Sequence, residues 1–512
     1  MEPWPGSEDH CADDPGSISR RRKVTILTDN HKAPSVVRNY LYSLAYQVLV
    51  ILTPLITTPY VTRVLGKDAL GSYHWTQSIC IYFTLSASLG IAMYGQREIA
   101  YVRDDAEKRY RIFMELFLLR LVTVAASLLP YILVFSVRGR YHTLFLIQGM
   151  ELIAVAFDIS WFLQGMENFR AVAGRNAAVK ILSVVCIFLF IKKPEDIWLY
   201  ALIQSGAVLL GNLSLWFYLP AYIGKKPAGR LRIRQHFVPV MLLFLPQIAI
   251  QIYNEMDKTM LGSLSPDIGE TAYYTQAQKI TKVASAVVKA LGSVMLPRVS
   301  YIFSYQGEAE ASLMIQKMCR VAVLMGSAMM CGIIGVAGNL VPWFLGDGFR
   351  VSETVLYLLA PTVLLVSVSN VTGIQCLVPM KKQKEFNISV IAGALVNLCA
   401  NVVLIPEHGA VGACIGTLLS ECTVACIQLV FVRRLVSLRI LLRETWRYPV
   451  LGLVMMGVLL FMNGKAPAKP MITFLEVFLG CVLYGGGLLA LRDPLTVLLK
   501  ERILQRIKGG KK

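Results

Sequence analysis

Charge is scarce in this sequence. Asp, Glu, Lys and Arg supply 16% of its 512 residues and hydrophobic types 55%, whereas a soluble protein carries charge nearer to about a quarter. A string of soluble domains is thereby excluded. The common catalytic spacings are missing too. There is no G-x-x-x-x-G-K-[ST] loop, no H-E-x-x-H and no G-x-S-x-G, so nucleotide hydrolysis by the usual route and familiar hydrolase chemistry are not expected. The 11 cysteines show no Cys-x-x-Cys or Cys/His spacing. Cys80, Cys186, Cys331, Cys376 and Cys399 stand singly in apolar runs and read as small buried hydrophobes, not metal ligands. No metal or cofactor is called for. Driving energy must come from an ion gradient, the membrane potential or consumption of the product, with H+ or Na+ the candidate coupling ion. No cleavable signal peptide is expected from this sequence. Residues 1–38 are polar, with a basic cluster from Arg20 to Lys23, and read as a disordered cytoplasmic extension.

What the sequence has in abundance is apolar blocks of about 20 residues, the length that crosses a hydrocarbon core of roughly 30 Å as a helix. In lipid the backbone must satisfy its own hydrogen bonds, so these blocks are helices. About fourteen of them lie between residues 39 and 491, which makes the expected fold an all-α polytopic membrane protein. With the N-terminus inside, 35 of the 51 Lys and Arg fall in inner segments and 9 in outer loops, the asymmetry that the positive-inside rule demands. That distribution explains the net charge of +19 without nucleic acid as a partner, and places both termini in the cytoplasm. The outer loops are short, so the activity belongs inside the membrane.

The chain also repeats itself. Arg63-Val64-Leu65-Gly66, Leu70-Gly71 and Trp75-Thr76-Gln77 return as Thr259-Met260-Leu261-Gly262, Ile268-Gly269 and Tyr274-Thr275-Gln276, a period near 200. Pro54 and Pro246 interrupt the corresponding first and seventh spans. Six spans separate the copies, so both halves have the same orientation about an axis along the membrane normal. The expected organisation is the extension 1–38, a lobe at 39–236, a second at 237–446, two further helices at 447–491 and a basic tail at 492–512. The alternative is one unsymmetrical bundle in which the two prolines are mere kinks.

Ionisable residues at membrane depth each need a partner or a watery cavity. They cluster here: Arg120, Glu151, Asp158 and Lys180 in the first half, Glu255, Asp257, Lys258, Lys279, Lys282, Lys289 and Glu421 in the second. Lys282 and Lys289 are seven apart and share one helical face, which Lys279 joins. Such a stripe suits a cationic, water-filled cavity that attracts an anionic group such as a diphosphate, which lysine holds as a point charge and can release. It equally suits structural pairing with Glu255, Asp257 or Glu421. Lys289, the deepest, reads as a cavity residue, while Lys279 and Lys258 read as snorkelling charges near the outer face. Arg120 fits a cavity or an internal partner. Asp158 fits a proton or sodium site, a sugar-binding carboxylate or a partner for Lys180.

The stretch from Asn39-Tyr40 through Thr57-Thr58-Pro59-Tyr60 and Arg63-Val64-Leu65-Gly66 to Leu70-Gly71-Ser72-Tyr73 resembles the opening of the polysaccharide-type (Wzx-like) flippases. These belong to the multidrug/oligosaccharidyl-lipid/polysaccharide exporter superfamily. Leu89-Gly90, Tyr94-Gly95-Gln96-Arg97-Glu98, Glu255-Met256-Asp257-Lys258, Lys279-Ile280, Leu296-Pro297-Arg298 and Gly409-Ala410-Val411-Gly412 through Glu421 continue it in family order. The resemblance implies a two-lobe transporter in a bacterial cytoplasmic membrane that flips undecaprenyl-diphosphate-linked oligosaccharide repeat units outward by alternating access. A polysaccharide polymerase and a chain-length regulator are its candidate partners. The cationic-cavity candidates it implies are Arg63, Arg97, Lys258, Lys282 and Lys289, to which depth alone adds Arg120. Asp158, Asp257, Glu255 and Glu421 are the candidates for ion coupling. The rivals are a multidrug exporter of the same superfamily, which needs an acidic cavity, a membrane-bound polymerase, which needs a sizeable outer loop, and a scaffold without transport.

Overall fold

A computed structural model describes residues 36–137, 139–223, 230–305, 307–463 and 467–493. Nearly all of the expected extension and most of the basic tail lie outside these residues. The described chain is helical, in the order α1 Val36–Ser88, α2 Ile91–Tyr101, α3 Ala106–Tyr131, α4 His142–Ala156, α5 Ser160–Gly165, α6 Phe169–Phe190, α7 Ile197–Ser214, α8 Arg234–Leu264, α9 Gly269–Tyr305, α10 Glu308–Phe344, α11 Val351–Ser369, α12 Gln383–Phe431, α13 Leu438–Thr445, α14 Arg447–Asn463 and α15 Pro470–Ala490. Ten described stretches are long and apolar enough to cross a membrane. Helices α8 (31 residues) and α9 (37 residues) also exceed the roughly 20 residues a crossing needs. The protein is an all-α polytopic membrane protein.

Two helices are twice the length of a crossing, and each breaks at a glycine. In α1 the break is Gly66 (φ 72°, ψ −179°), and Thr53 before it and Gln77 after it line one cavity. In α12 it is Gly409 (φ 53°, ψ −129°). Positive φ is open to glycine at little cost. The second half of α12 doubles back on the first, since Ser420 Oγ donates to the Gly393 carbonyl at 2.7 Å. Glu270 of α9 starts that second half by accepting from the Ala410 N–H at 2.8 Å. At the other face Asp105 caps α3, accepting from the Glu107 and Lys108 N–H groups at 3.1 and 3.0 Å. The bond from Lys108 holds its carboxyl below the usual range.

Helices α1 and α3 to α7 pack on one another, and α8 to α12 do the same, with α1 lying against α8 and α9 where the two sets meet. The repeated segments face each other along this seam. A Cβ on Gly71 would sit 3.2 Å from the Cα of Gly269 and 2.1 Å from the Ile268 carbonyl oxygen. Lys67 and Asp267 close the same seam with a 2.5 Å ion pair, and Trp75 Nε1 donates to Ser263 Oγ at 3.1 Å.

Helices α14 and α15 stand outside this arrangement and pack on α10. Asn463 Nδ2 donates to the Gly335 carbonyl at 2.6 Å, Asn339 Nδ2 to Glu476 Oε1 at 2.5 Å and Trp343 Nε1 to Thr473 Oγ1 at 2.8 Å. Lipid gives helices no hydrophobic reason to associate, so such polar contacts and close packing hold them together.

Candidate translocation cavity

At the seam a cavity of about 240 Å³ opens between α1, α6, α7 and α9. Its walls are polar for their depth: threonines Thr53, Thr57 and Thr58, the phenols of Tyr73 and Tyr200, the amides of Gln77, Gln204 and Gln276, and His74. Among the described residues two ammonium groups, Lys180 from α6 and Lys279 from α9, are the walls' charged groups, and no carboxylate lines the cavity. Lys279 Nζ donates to Gln276 Oε1 at 3.1 Å, and Gln276 Nε2 lies 3.3 Å from His74 Nε2. Among the described residues neither lysine has a carboxylate within ion-pair distance. The charges that act on Lys279 are cations, Lys258 and Lys180. Behind the wall, Glu151 accepts from Gln77 Nε2 and Ser205 Oγ, both at 2.9 Å.

The residues expected from sequence to build this site are placed as follows. Lys282 and Lys289 lie farther along α9, exposed, each without a carboxylate in ion-pair reach among the described residues. Lys258 pairs with Glu255 at 2.7 Å, one helical turn away. Arg120 is 1% exposed and is not part of the cavity. It donates to the backbone carbonyl of Asp158, whose carboxylate is 3.7 Å from it. Asp158 occupies the break between α4 and α5, where its Oδ1 also accepts from the Ser160 N–H at 3.0 Å. Its partner is thus Arg120, not Lys180, and the reason is depth: both sit at the level where α4 interrupts. Arg63 is not a cavity wall either. It is exposed and donates to the Pro59 carbonyl at 2.6 Å and to that of Trp343, joining α1 to the end of α10. Arg97 is exposed on α2, 3.1 Å from Glu98 and 5.4 Å above the Tyr94 ring. Glu421 accepts from Tyr253 at 2.8 Å, with Lys289 among its neighbouring charges.

Asp257 has a setting of its own. It is 4% exposed and accepts from Asn397 and Asn401 on Oδ1 at 3.0 and 2.7 Å, and from Tyr274 and Thr417 on Oδ2 at 2.5 and 3.0 Å. A carboxylate offers about four lone-pair sites; all are taken, and every partner is neutral. Asn401 Oδ1 is buried beside them without a partner.

Sequence reasoning placed Lys279 near the outer face, as a snorkelling charge. Lys279 is ten residues into α9, about 15 Å along its axis at 1.5 Å per residue, and so is deep. The repeat held a better signal: Gln77 and Gln276, the last residues of the two aromatic-Thr-Gln triplets, both line the cavity. A second cluster went unnoticed. Glu115 on α3 is fully buried and accepts from the Arg232 N–H (2.6 Å), Gln235 Nε2 (2.9 Å) and His236 Nε2 (2.7 Å), and Tyr94 Oη is 2.9 Å from His236 Nδ1. These contacts fasten the start of α8 to α2 and α3, across 121 residues of sequence.

Comparison with known proteins agrees with this architecture. The family described as "Polysaccharide biosynthesis protein" matches residues 36–303. A putative O-antigen transporter of Escherichia coli (strain K12) is 25% identical over 406 residues, covering 78% of this chain and 97% of its own. A probable low-salt glycan biosynthesis flippase of Haloferax volcanii is 24% identical over 233 residues, 45% of this chain and 49% of its own. Among solved structures, the lipid II flippase MurJ in an inward closed conformation superposes with a TM-score of 0.69 at 14% identity, covering 90% of this chain and 100% of that one. An inward-facing multidrug resistance MATE family transporter gives 0.59 at 14% identity, over 77% and 96%. The fold is that of membrane transporters, and the relatives are transporters and flippases, not enzymes. The chain belongs to the polysaccharide biosynthesis protein family.

Proposed function

We propose that this protein is a flippase that carries undecaprenyl-diphosphate-linked oligosaccharide repeat units from the cytoplasmic to the outer leaflet of a bacterial cytoplasmic membrane, for assembly of a capsule, exopolysaccharide or O-antigen. Family membership supports the reaction class. The single observation that carries the reading is the pair Lys180 and Lys279, two ammonium groups without carboxylate partners among the described residues, on the walls of one hydroxyl- and amide-rich cavity. A diphosphate supplies the missing negative charge, and sugar hydroxyls match threonine, tyrosine and glutamine side chains. Lys282 and Lys289 extend the cationic face along α9 for the same anion. A drug exporter for cations would need acidic walls instead.

Alternating access proceeds as the two six-helix halves, 39–236 and 237–446, rock about the seam at Gly71 and Gly269. Coupling to H+ or Na+ is assigned to Asp257. Asp158 is engaged by Arg120 and Glu255 by Lys258, whereas Asp257 meets neutral groups whose oxygens can turn toward a cation. A polysaccharide polymerase and a chain-length regulator receive the product at the outer face.

The test is the orientation of lipid-linked oligosaccharide in whole cells that lack the native flippase. Cells expressing Lys279→Ala should retain the lipid facing inward while the protein level holds, and Lys279→Arg should restore part of the flow. Normal outward flow with Lys279→Ala places the phosphate elsewhere, and no flow with the wild type removes the flippase reading.

A further inference from the structure

Arginines gather where α10, α13, α14 and the end of α15 meet. Arg320 of α10, Arg443 of α13 and Arg447 at the head of α14 line a pocket of about 310 Å³ together with Ile440, Glu444 and Asp493. The carboxylates are partly spent: Glu444 Oε2 is 3.4 Å from Arg320 Nη1, and Asp493 Oδ2 accepts from Tyr448 at 2.9 Å. Arg443 and Arg447 have no carboxylate within ion-pair distance among the described residues, and the Arg320 Nε is buried without a hydrogen-bond partner. Three guanidinium groups against two engaged carboxylates leave the pocket positive, with donors unspent.

Its position says where a ligand would come from. Residues 433–447 hold five arginines and one carboxylate, the signature of a cytoplasmic segment. Within it α13 buries Leu441 and Thr445 and exposes Leu438, Ile440 and Leu442 beside Arg439 and Arg443, as does a helix lying in the membrane–water interface. Val450 and Val454 follow Arg447 by three and seven residues, so they descend one face of α14, and both are exposed. Guanidinium groups at headgroup level with an apolar track beneath match a phosphate joined to acyl chains.

We propose that this pocket binds the phosphate of an anionic phospholipid of the cytoplasmic leaflet, with its acyl chains along α14. The site is independent of the translocation cavity and of the flippase reading; it needs only that this face is cytoplasmic. Arginine is suited to it because its planar fork engages phosphate oxygens two at a time, and basic pockets between helices on the cytoplasmic side are where such headgroups settle.

Native mass spectrometry of the purified full-length protein, delipidated and then titrated with single lipids, tests this directly. The wild type should retain phosphatidylglycerol in preference to phosphatidylcholine. Arg443→Ala/Arg447→Ala should retain roughly tenfold less of it, as expected from losing two charge-assisted contacts. Arg433→Ala/Arg434→Ala, which removes the same charge outside the pocket, should bind as the wild type does. Arg443 and Arg447 are both exposed, and Arg443→Lys/Arg447→Lys, which keeps the charge but not the fork, gives an intermediate loss in a variant with the native charge. Equal retention of the two lipids, or equal loss in the 433/434 variant, overturns the proposal in favour of diffuse surface charge. Displacement of phosphatidylglycerol by equimolar undecaprenyl phosphate overturns it in favour of a site for the substrate's own lipid.

Discussion

Two regions of this molecule treat charge in opposite ways. Around α2, α3 and the α4–α5 break charges are closed into pairs: Glu115 holds His236, Gln235 and a backbone N–H, and Arg120 holds Asp158. Along the seam of α6 and α9 they stand open: Lys180, Lys279, Lys282 and Lys289 have no carboxylate in ion-pair reach among the described residues, and Asp257 nearby meets only neutral donors. A charge at membrane depth costs several kcal/mol unless it is paired or hydrated. Closed pairs repay that cost within the fold. Open charges repay it through water or through something that arrives, and on the function proposed above they mark the route of a substrate or an ion.

The comparison can be broken most forcefully at the closed pairs. Glu115→Ala leaves a histidine, an amide and an N–H without their acceptor in a fully buried place, and should cost about 3–5 kcal/mol of stability. That would appear as a collapse in folded yield and in the detergent melting temperature. Arg120→Ala should cost somewhat less, about 3 kcal/mol, because Asp158 is partly exposed and can hydrate. Its melting temperature should recover in part in Arg120→Ala/Asp158→Asn. A normal melting temperature for either single variant would make the closed pairs incidental.

The open charges should behave in reverse. Asp257→Asn keeps size and hydrogen-bonding capacity, so its melting temperature should shift little. The dependence of outward flow on the ion gradient should vanish, as measured with a protonophore and a sodium ionophore in parallel. Unchanged ionophore sensitivity would remove Asp257 from coupling. The smallest effect is expected at the Lys67–Asp267 end of the seam. Lys67 and Asp267 are each more than a third exposed, so Lys67→Ala should change stability by no more than about 1 kcal/mol, within the spread of exposed pairs in a melting series.

Much of this architecture is legible in the sequence. The apolar blocks, the asymmetry of the loops and the period near 200 lead to helices and to a repeat whose copies meet at Gly71 and Gly269. Gly66 and Gly409 mark the turns of the two double-length helices. The partners of charges are not legible. Arg120 and Asp158 are 38 residues apart and Glu115 and His236 are 121 apart; depth along a helix says that a partner is needed, but not on which neighbour it lies. The same blindness to facing put Lys279 at the surface and Arg63 and Arg97 in the cavity, although α9 turns Lys279 inward and the two arginines sit at opposite ends of the bundle's walls.

The central claim is that open lysines handle the substrate while closed pairs hold the fold. The most direct measurement is outward flipping of lipid-linked oligosaccharide in proteoliposomes, per folded molecule, for the wild type, Lys180→Ala/Lys279→Ala and Arg120→Ala. The account predicts that the lysine variant loses at least roughly tenfold in rate, the worth of a charge-assisted contact to phosphate, at an unchanged melting temperature. Arg120→Ala should flip at nearly the wild-type rate per folded molecule despite its lower melting temperature. Normal flipping by the lysine variant, or a rate loss confined to Arg120→Ala, would contradict it.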